Sequence, residues 1–259
     1  MPPGRPRTAT SWPPPRASTR PSPTRWPPSS DPTTDPTTDK EAPRMTTLGI
    51  LGAGRVGTNL ARKLADAGHD VVVGRRDPAA QLPGRTEEFG PRVRFTDQRT
   101  AAATGDVVIN ATPGDTALAR LGELRDELAG KILVDVSNAT QHGPDGLPGE
   151  LMYPDGSLGE RLQRALPATR VVKTLNTMLY AVMTAPESLA TPPTVYLSGD
   201  DQDAKDTVAR LLGDLGWKAD RIEDLGDITT ARATEAVILL VTQVLRRKGL
   251  QPLAVSASG

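Results

Sequence analysis

The chain of 259 residues is long enough for one large domain or for a domain with a small appendage. Its 31 basic and 31 acidic residues cancel, so the net charge gives no support to nucleic acid or an anionic membrane as a partner. The absence of cysteine excludes disulfides, thiol catalysis and thiolate metal sites, and the two distant histidines have no metal-binding spacing. The longest apolar run, 236–241, is far shorter than the roughly 20 residues that cross a bilayer. We expect a cytoplasmic protein that binds neither a metal nor a membrane.

Residues 1–44 form a leader whose composition predicts no fold. They hold 13 of the 25 prolines and a tandem Asp-Pro-Thr-Thr repeat at 31–38. Apart from Met1 and two tryptophans they lack large apolar side chains, so burial cannot offset the entropy of ordering the chain. The segment is either an inert leader, with Met45 as the native start, or a proline-rich docking tail; its composition favours the former.

From Met45 onward, short apolar strands alternate with amphipathic helices. The predicted strands are 47–51, 71–73, 92–95, 106–110, 131–136, 170–172, 194–198 and a short one near 221–222. The predicted helices are 55–67, 115–128, 158–165, 202–215 and a final helix that Asp227 caps and Gly249 ends. Unbroken Val/Ile/Leu strands in such an alternation predict a parallel sheet covered on both faces. The long connection 137–156 is predicted to be a functional loop.

A glycine-rich turn follows the first strand. Gly52, Gly54 and Gly57 have the G-x-G-x-x-G spacing, with a strand before them, a helix after them and a second strand at the expected distance. This spacing lets backbone amides approach a pyrophosphate at a helix N-terminus. The sequence therefore predicts an α/β fold of the doubly wound Rossmann type, with a small C-terminal α/β extension ending in a long helix.

The end of the second strand favours NADP over NAD. Gly74, Arg75 and Arg76 stand where a carboxylate would bind the ribose 2′-hydroxyl of NAD, and arginines suit the 2′-phosphate of NADP. Asp70 lies at the wrong end of that strand to replace the carboxylate. The alternative is a pair of solvated arginines that the nearby Asp77 partly neutralises.

Polar residues also follow three later strands. They are Thr112-Pro113, Ser137-Asn138 and Asn176. The carboxyl ends of strands in open α/β sheets form the ligand crevice, so we expect ligand contacts here, although turn chemistry also favours these residue types. His142, in the long connection, is expected to be simply exposed.

No catalytic acid–base set is evident in the sequence. No tyrosine has a lysine four residues later, and no histidine pairs with a carboxylate in a recognisable motif. Hydride exchange with a second hydride-carrying cofactor needs mainly positioning. The pattern therefore favours transfer between two cofactors, with no catalytic side chain assigned.

The chain resembles the NADP oxidoreductases that use coenzyme F-420 (F420, an 8-hydroxy-5-deazaflavin). The resemblance rests on 49–57 (GILGAGRVG), 72–76 (VVGRR), 171–178 (VVKTLNTM), 198–201 (SGDD) and 224–232 (DLGDITTAR). It implies direct hydride exchange between NADP and F420 as co-substrate. Implied NADP contacts are Gly52, Ala53, Gly54, Arg55, Val56, Gly74, Arg75, Arg76, Thr112, Pro113 and Ser137. Implied acceptor contacts are Asn138, Thr174, Asn176 and Met178.

These interpretations predict four segments: the leader (1–44), an NADP-binding domain (45–180), a small substrate-side region (181–249) and a tail (250–259). The apolar stripe of the final helix is wider than one sheet face needs, which predicts a homodimer. The Ala/Ser-rich tail leaves the acceptor open, and a flavin, quinone or ferric chelate are alternatives. The rival enzyme families are the β-hydroxyacid dehydrogenases and the imine reductases. A further alternative is an NADP sensor that catalyses no reaction.

Removing residues 1–44 should leave the protein unchanged, because the leader has too few large apolar side chains to join a core. We expect the same melting temperature and NADPH affinity for the chain starting at Met45 as for the full chain. A lower melting temperature would show that the leader contributes to the fold.

Overall fold

The computed structural model describes residues 45–77 and 89–257. The leader 1–44 lies outside the described residues, so its predicted disorder remains a prediction.

Ten strands and eight helices make up the described part of the chain. The strands are β1 (Thr47–Leu51), β2 (Asp70–Arg75), β3 (Val93–Asp97), β4 (Val107–Asn110), β5 (Ile132–Asp135), β6 (Thr140–His142), β7 (Pro148–Leu151), β8 (Arg170–Lys173), β9 (Val195–Leu197) and β10 (Ile222–Asp224). The helices are α1 (Arg55–Asp66), α2 (Gln98–Thr104), α3 (Gly114–Gly122), α4 (Arg125–Leu128), α5 (Leu158–Ala165), α6 (Tyr180–Met183), α7 (Gln202–Asp214) and α8 (Ala231–Lys248).

The central sheet has six parallel strands in the order β3-β2-β1-β4-β5-β8. The chain runs outward from β1 through β3 and then returns to β4 on the other side of β1. This reversal opens a crevice between the carboxyl ends of β1 and β4, where doubly wound folds bind nucleotides. The predicted α/β fold with a small C-terminal extension and a long final helix is confirmed, and β9 and β10 form the extension's parallel pair.

Apolar side chains cover the sheet on both faces. On one face Leu60 and Leu64 of α1 pack with β1 and with Val208 and Leu212 of α7. On the other face the apolar layer comes from α3, α4 and α5, including Leu121, Leu128 and Leu162. Strands buried from both sides must be apolar at consecutive positions, which explains the unbroken Val/Ile/Leu runs in the sequence.

Two predictions about the chain between β4 and β8 are wrong. The helix predicted over 115–128 is interrupted: α3 ends at Gly122, and Leu124 lies outside the helical region with φ −107°. Glycine is a poor helix former, which accounts for a break here. The connection 137–156 is not irregular, because β6 and β7 form an antiparallel hairpin within it. The turn signal Pro144-Asp145-Gly146 could have revealed the hairpin.

The chain after α8 returns to the sheet. Gly249 ends α8 with φ +76°, as predicted, but the tail that follows is ordered against the strand ends. The Leu179 amide donates to the Leu253 carbonyl at 2.9 Å and the Val255 amide donates to the Thr177 carbonyl at 3.0 Å. Asp227 caps a 3-10 turn, Ile228–Thr230, that leads directly into α8 instead of capping α8 itself.

Helix α8 combines packing on the sheet layer with an outer apolar surface. Val241 is buried, whereas Leu240 is 54% exposed. Within the described residues, the stretch Ile228–Lys248 is long and apolar enough to cross a membrane by length and composition, with a mean hydropathy of 1.3. A single such helix is weak evidence for a membrane, because core helices meet the same criteria. Dimerisation through this helix remains a prediction.

Replacing Asp201 with Ala should lower the free energy of unfolding by about 1 kcal/mol, because its carboxylate caps α7 by accepting from the Ala204 amide at 2.7 Å. Asp201→Asn is the matched control, since asparagine caps equally well and should leave stability nearly unchanged. Urea denaturation of the three proteins checks this. Equal loss in both variants would assign the effect to charge instead of capping.

Candidate functional site

The glycine turn after β1 is fixed by steric requirements at two glycines. Gly52 has φ +110°, and its amide donates to the Gly74 carbonyl at 2.9 Å. A Cβ on Gly57 would lie 1.8 Å from the Gly52 carbonyl oxygen, so only glycine lets α1 start this close to β1.

The same turn leaves room for a phosphate group. A Cβ on Gly54 would meet nothing within 4 Å, so packing against described residues does not explain this glycine. Gly54 is the N-cap of α1, and no side chain caps the helix. Amides at the start of an uncapped helix can donate to an anion. The turn therefore fits a dinucleotide pyrophosphate.

A cavity of about 1000 Å³ extends from the glycine turn to the end of β2. Its cationic lining comes from Arg55, Arg75, Arg76 and Arg120. Neither Arg75 nor Arg76 forms an ion pair with a described acidic residue, so both can meet an external anion. The cluster fits the 2′-phosphate of NADP.

Arg120 also lines this cavity, and the sequence analysis did not single it out. It lies on α3 and its Nε donates to Thr116 Oγ1 at 3.1 Å, one helical turn earlier. A side cavity of about 490 Å³ separates it from Arg75 and Arg76, with Asp97 and Gln98 also in the wall. The sequence contains a signal for this position. Helix α3 begins at the crevice, and residues four apart, such as Thr116 and Arg120, share one helix face.

Asp97 lies in the wall of this side cavity and forms no ion pair with a described arginine. Hydrogen bonds from the Thr100 side chain and amide, at 2.7 and 2.9 Å, hold the pKa of this carboxyl below its usual value. The same bonds make Asp97 the cap of α2.

A second cavity, of about 310 Å³, opens from the first. Val56, Thr112, Pro113 and His142 line both cavities and so mark their junction. The remaining wall is mixed: Asp115, Ser137, Asn138 and Thr140 are polar, and the apolar and aromatic part includes Val136, Met178, Leu179, Tyr180, Met183 and Ile238. The lining residues come from the chain that follows β4, β5 and β8, from the β6–β7 hairpin, and from helices α1, α3, α6 and α8.

A buried hydrogen-bond chain holds the ends of β4 and β5. Asn110 donates from Nδ2 to Asp135 Oδ1 at 2.8 Å, and its Oδ1 accepts from Thr112 Oγ1 at 2.6 Å. Ser137 donates to the same Asp135 oxygen from its hydroxyl at 2.7 Å. Thr112 and Ser137 are therefore positioned by the side chains that end their strands.

The turn after β8 is locked to this edge by an amide pair. Asn138 Nδ2 donates to the Asn176 carbonyl at 2.8 Å, and Asn176 Nδ2 donates to Asn138 Oδ1 at 3.0 Å. Between β8 and this pair, Leu175 has φ +60°, a region that residues with side chains rarely adopt. Backbone strain of this kind persists where surrounding contacts enforce it.

Comparison with known proteins identifies the family. Residues 47–139 match the family described as NADP oxidoreductase, coenzyme F420-dependent. The crystal structure of a candidate F420-dependent NADP reductase from Arthrobacter sp. FB24 has 38% sequence identity and a TM-score of 0.75, over 83% of this chain and 100% of that chain. This chain belongs to the F420-dependent NADP oxidoreductase family.

Curated relatives fall into two groups. The F420-dependent NADP reductase of Methanocaldococcus jannaschii is 28% identical over 201 residues, which is 73% of this chain and 87% of that protein. The metalloreductase STEAP3 of Rattus norvegicus is 34% identical over 202 residues, which is 77% of this chain and 37% of that protein. The chain thus spans little more than a third of the metalloreductase.

Most residues that the family resemblance implies line the two cavities. Those lining the larger cavity are Gly52, Ala53, Gly54, Arg55, Val56, Arg75, Arg76, Thr112 and Pro113. Ser137, Asn138 and Met178 line the smaller one. Gly74, Thr174 and Asn176 line neither: Gly74 supports Gly52, Asn176 supports Asn138, and the buried Thr174 hydroxyl has no hydrogen-bond partner among the described residues. All of these contacts with ligands remain predictions.

Replacing Arg75 and Arg76 with Ala should weaken NADPH binding far more than NADH binding. Each charged hydrogen bond to the 2′-phosphate contributes roughly 1.5–3 kcal/mol, or about tenfold or more in affinity. We expect Arg120→Ala to act in the same direction, and Arg210→Ala, at an exposed position on α7, to have no effect. Fluorescence titration with both nucleotides measures this. Equal losses for NADH and NADPH would contradict the assignment.

Proposed function

We propose that this protein exchanges a hydride between NADP(H) and a deazaflavin cofactor of the F420 type. The observation that carries the proposal is the junction of the two cavities at Val56, Thr112, Pro113 and His142. The larger cavity has the phosphate-binding features of an NADP site, and the smaller one starts where that site ends. Two ligands bound side by side would meet at this junction.

The larger cavity would bind NADP through its charged end. The uncapped start of α1 faces the pyrophosphate, and Arg75, Arg76 and Arg120 surround the 2′-phosphate. Thr112 and Pro113, at the junction, then lie along the nicotinamide end. NADPH bound in this way supplies a hydride from its nicotinamide C4.

The smaller cavity has the lining that a planar, mostly apolar ring system needs. Met178, Met183 and Ile238 give an apolar wall, and Tyr180 offers an aromatic face. Its titratable lining residues are the half-buried Tyr180 and two exposed groups, Asp115 and His142. Reduction of a deazaflavin consumes one proton together with the hydride, and these two groups can pass that proton from solvent. His142 is thus closer to the chemistry than the sequence analysis expected.

A metal chelate or a flavin is the second candidate acceptor. The similarity to the metalloreductase STEAP3, at 34% identity, favours it. The metalloreductase is a longer protein, and the shared part covers 77% of this chain and 37% of that protein. The third candidate, an NADP sensor, would use the larger cavity alone.

Mixing the protein with NADPH under anaerobic conditions and adding one acceptor at a time separates these functions. We expect loss of deazaflavin absorbance with F420, at a kcat/KM at least tenfold above those with FAD and ferric citrate. Faster reduction of FAD or ferric citrate would favour the metalloreductase-like function. Tight NADPH binding with no acceptor reduced would indicate a sensor.

Shortening Tyr180 to Ala tests the smaller cavity. Aromatic contacts contribute about 0.5–1.5 kcal/mol beyond area burial, so KM for F420 should rise roughly 2- to 10-fold while NADPH affinity stays unchanged. Tyr153→Ala is the matched control, because Tyr153 packs on Arg161 and lines neither cavity. An unchanged KM for F420 in Tyr180→Ala would place the acceptor elsewhere.

A further inference from the structure

A buried cluster of three charged side chains lies behind the junction of the cavities. The Lys173 ammonium group contacts Asp135 Oδ2 at 2.8 Å and Glu235 Oε1 at 2.9 Å. The side chains of Lys173 and Asp135 are fully buried, and that of Glu235 is 5% exposed. None of the three lines either cavity, so none is explained by direct ligand contact.

Burying these charged groups costs free energy, which interactions inside the protein must offset. Burial on its own would lower the pKa of Lys173, but the charges of Asp135 and Glu235 outweigh it and raise the pKa above its usual value. With one basic and two acidic side chains, the formal net charge of the cluster is −1. Glu235 accepts from the Leu158 and Gly159 amides at 2.8 and 3.0 Å, at the positive end of α5, which offsets that charge.

Each member of the cluster is attached to a wall of the site. Lys173 also donates to the carbonyl of Ser137, and Asp135 accepts from the Ser137 hydroxyl. Glu235 lies in the second turn of α8, and Ile238, about one turn later, lines the smaller cavity. Lys173 therefore connects the Ser137 loop on one side of the junction with α8 on the other.

We propose that Lys173 is a positioning residue, which with Asp135 and Glu235 holds the Ser137 loop and helix α8 at the separation required for hydride transfer. This inference rests on the proposed function for its choice of reaction. The inference extends the proposed function, because it assigns the geometry of the cavity junction to a cluster that contacts neither ligand.

If Lys173 only stabilised the fold, its loss would lower stability without changing hydride transfer. A second buried lysine, Lys205, provides the comparison. Lys205 is also largely buried, pairs with Asp224 at 2.8 Å and donates to the Gly226 carbonyl at 3.2 Å. Among the described residues, it lines neither cavity and bonds to neither the Ser137 loop nor α8. Losing Lys205 should therefore cost stability without changing the junction.

The experiment compares four variants of the full chain: Lys173→Met, the charge-balanced Lys173→Met/Glu235→Gln, Glu235→Gln and the control Lys205→Met. The double variant keeps the net charge at −1, and Glu235→Gln is the mildest change, so the comparison stays decisive if Lys173→Met does not fold. The measurements are melting temperature, affinity for 2′,5′-ADP and for NADPH, and the single-turnover rate of hydride transfer from deuterated and normal NADPH.

We expect every variant at Lys173 or Glu235 that folds to keep its 2′,5′-ADP affinity within twofold, because that probe reaches only the arginines and the glycine turn and lacks the nicotinamide half. The NADPH-to-2′,5′-ADP affinity ratio should fall at least threefold, and the hydride-transfer rate at least tenfold. Lys205→Met should lose melting temperature but keep both the ratio and the rate. Wild-type ratio and rate in the double variant or in Glu235→Gln would overturn the proposal.

The affinity ratio separates this inference from the proposed function. If the wild-type protein reduces no F420, the proposed function fails, but the ratio still tests whether Lys173 shapes the nicotinamide end. If F420 is reduced equally fast by all variants, the function stands and the positioning role fails.

Discussion

A charged group that folding removes from water must find its partners inside the protein, and at Lys173 this requirement determines how the site is assembled. The partners come from β5 and α8, which are 100 residues apart in sequence between Asp135 and Glu235. Because breaking such a cluster leaves an uncompensated buried charge, the two elements cannot move apart independently. The same side chains bond to the Ser137 loop and to the start of α5. The edge of the sheet, the chain leading into the β6–β7 hairpin and helix α8 therefore depend on one cluster.

A second constraint acts at the other end of the site and is steric instead of electrostatic. Gly52 needs a positive φ and Gly57 a close approach of backbone, whereas Gly54 faces open space. Two of the three glycines thus shape the turn, and the third leaves room for a ligand. The arginines at the end of β2 and on α3 then surround the far end of that space. Together the two constraints give a rigid cleft that is charged at one end and largely apolar at the other.

The sequence was sufficient for features that depend on local patterns. Apolar runs located the strands of the sheet, glycine spacing located the turn, and Arg75 and Arg76 pointed to the cofactor. Features that depend on long-range pairing were missed or misjudged. Nothing local to Lys173 distinguishes a buried ammonium from an exposed one, since its partners are known only when β5 and α8 are in place. The pairing of the tail at 253–255 with the chain after β8 was missed for the same reason, whereas the Pro-Asp-Gly turn could have revealed the hairpin that carries His142, which is exposed as expected.

The contrast between the two ends of the cleft explains why the cofactor can be read from the sequence more easily than the acceptor. The phosphate-binding parts, from Gly52 to Arg76, lie within one strand–helix–strand unit, where spacing alone brings them together. The acceptor cavity takes Ser137, Tyr180 and Ile238 from three separate elements, and their relative position depends on the buried cluster and on the tail beside Leu179. Relatives that share the first unit can therefore differ in acceptor through small changes in how α8 and the tail are held. The similarity of this chain both to F420-dependent NADP reductases and to part of a metalloreductase is consistent with that division of the site.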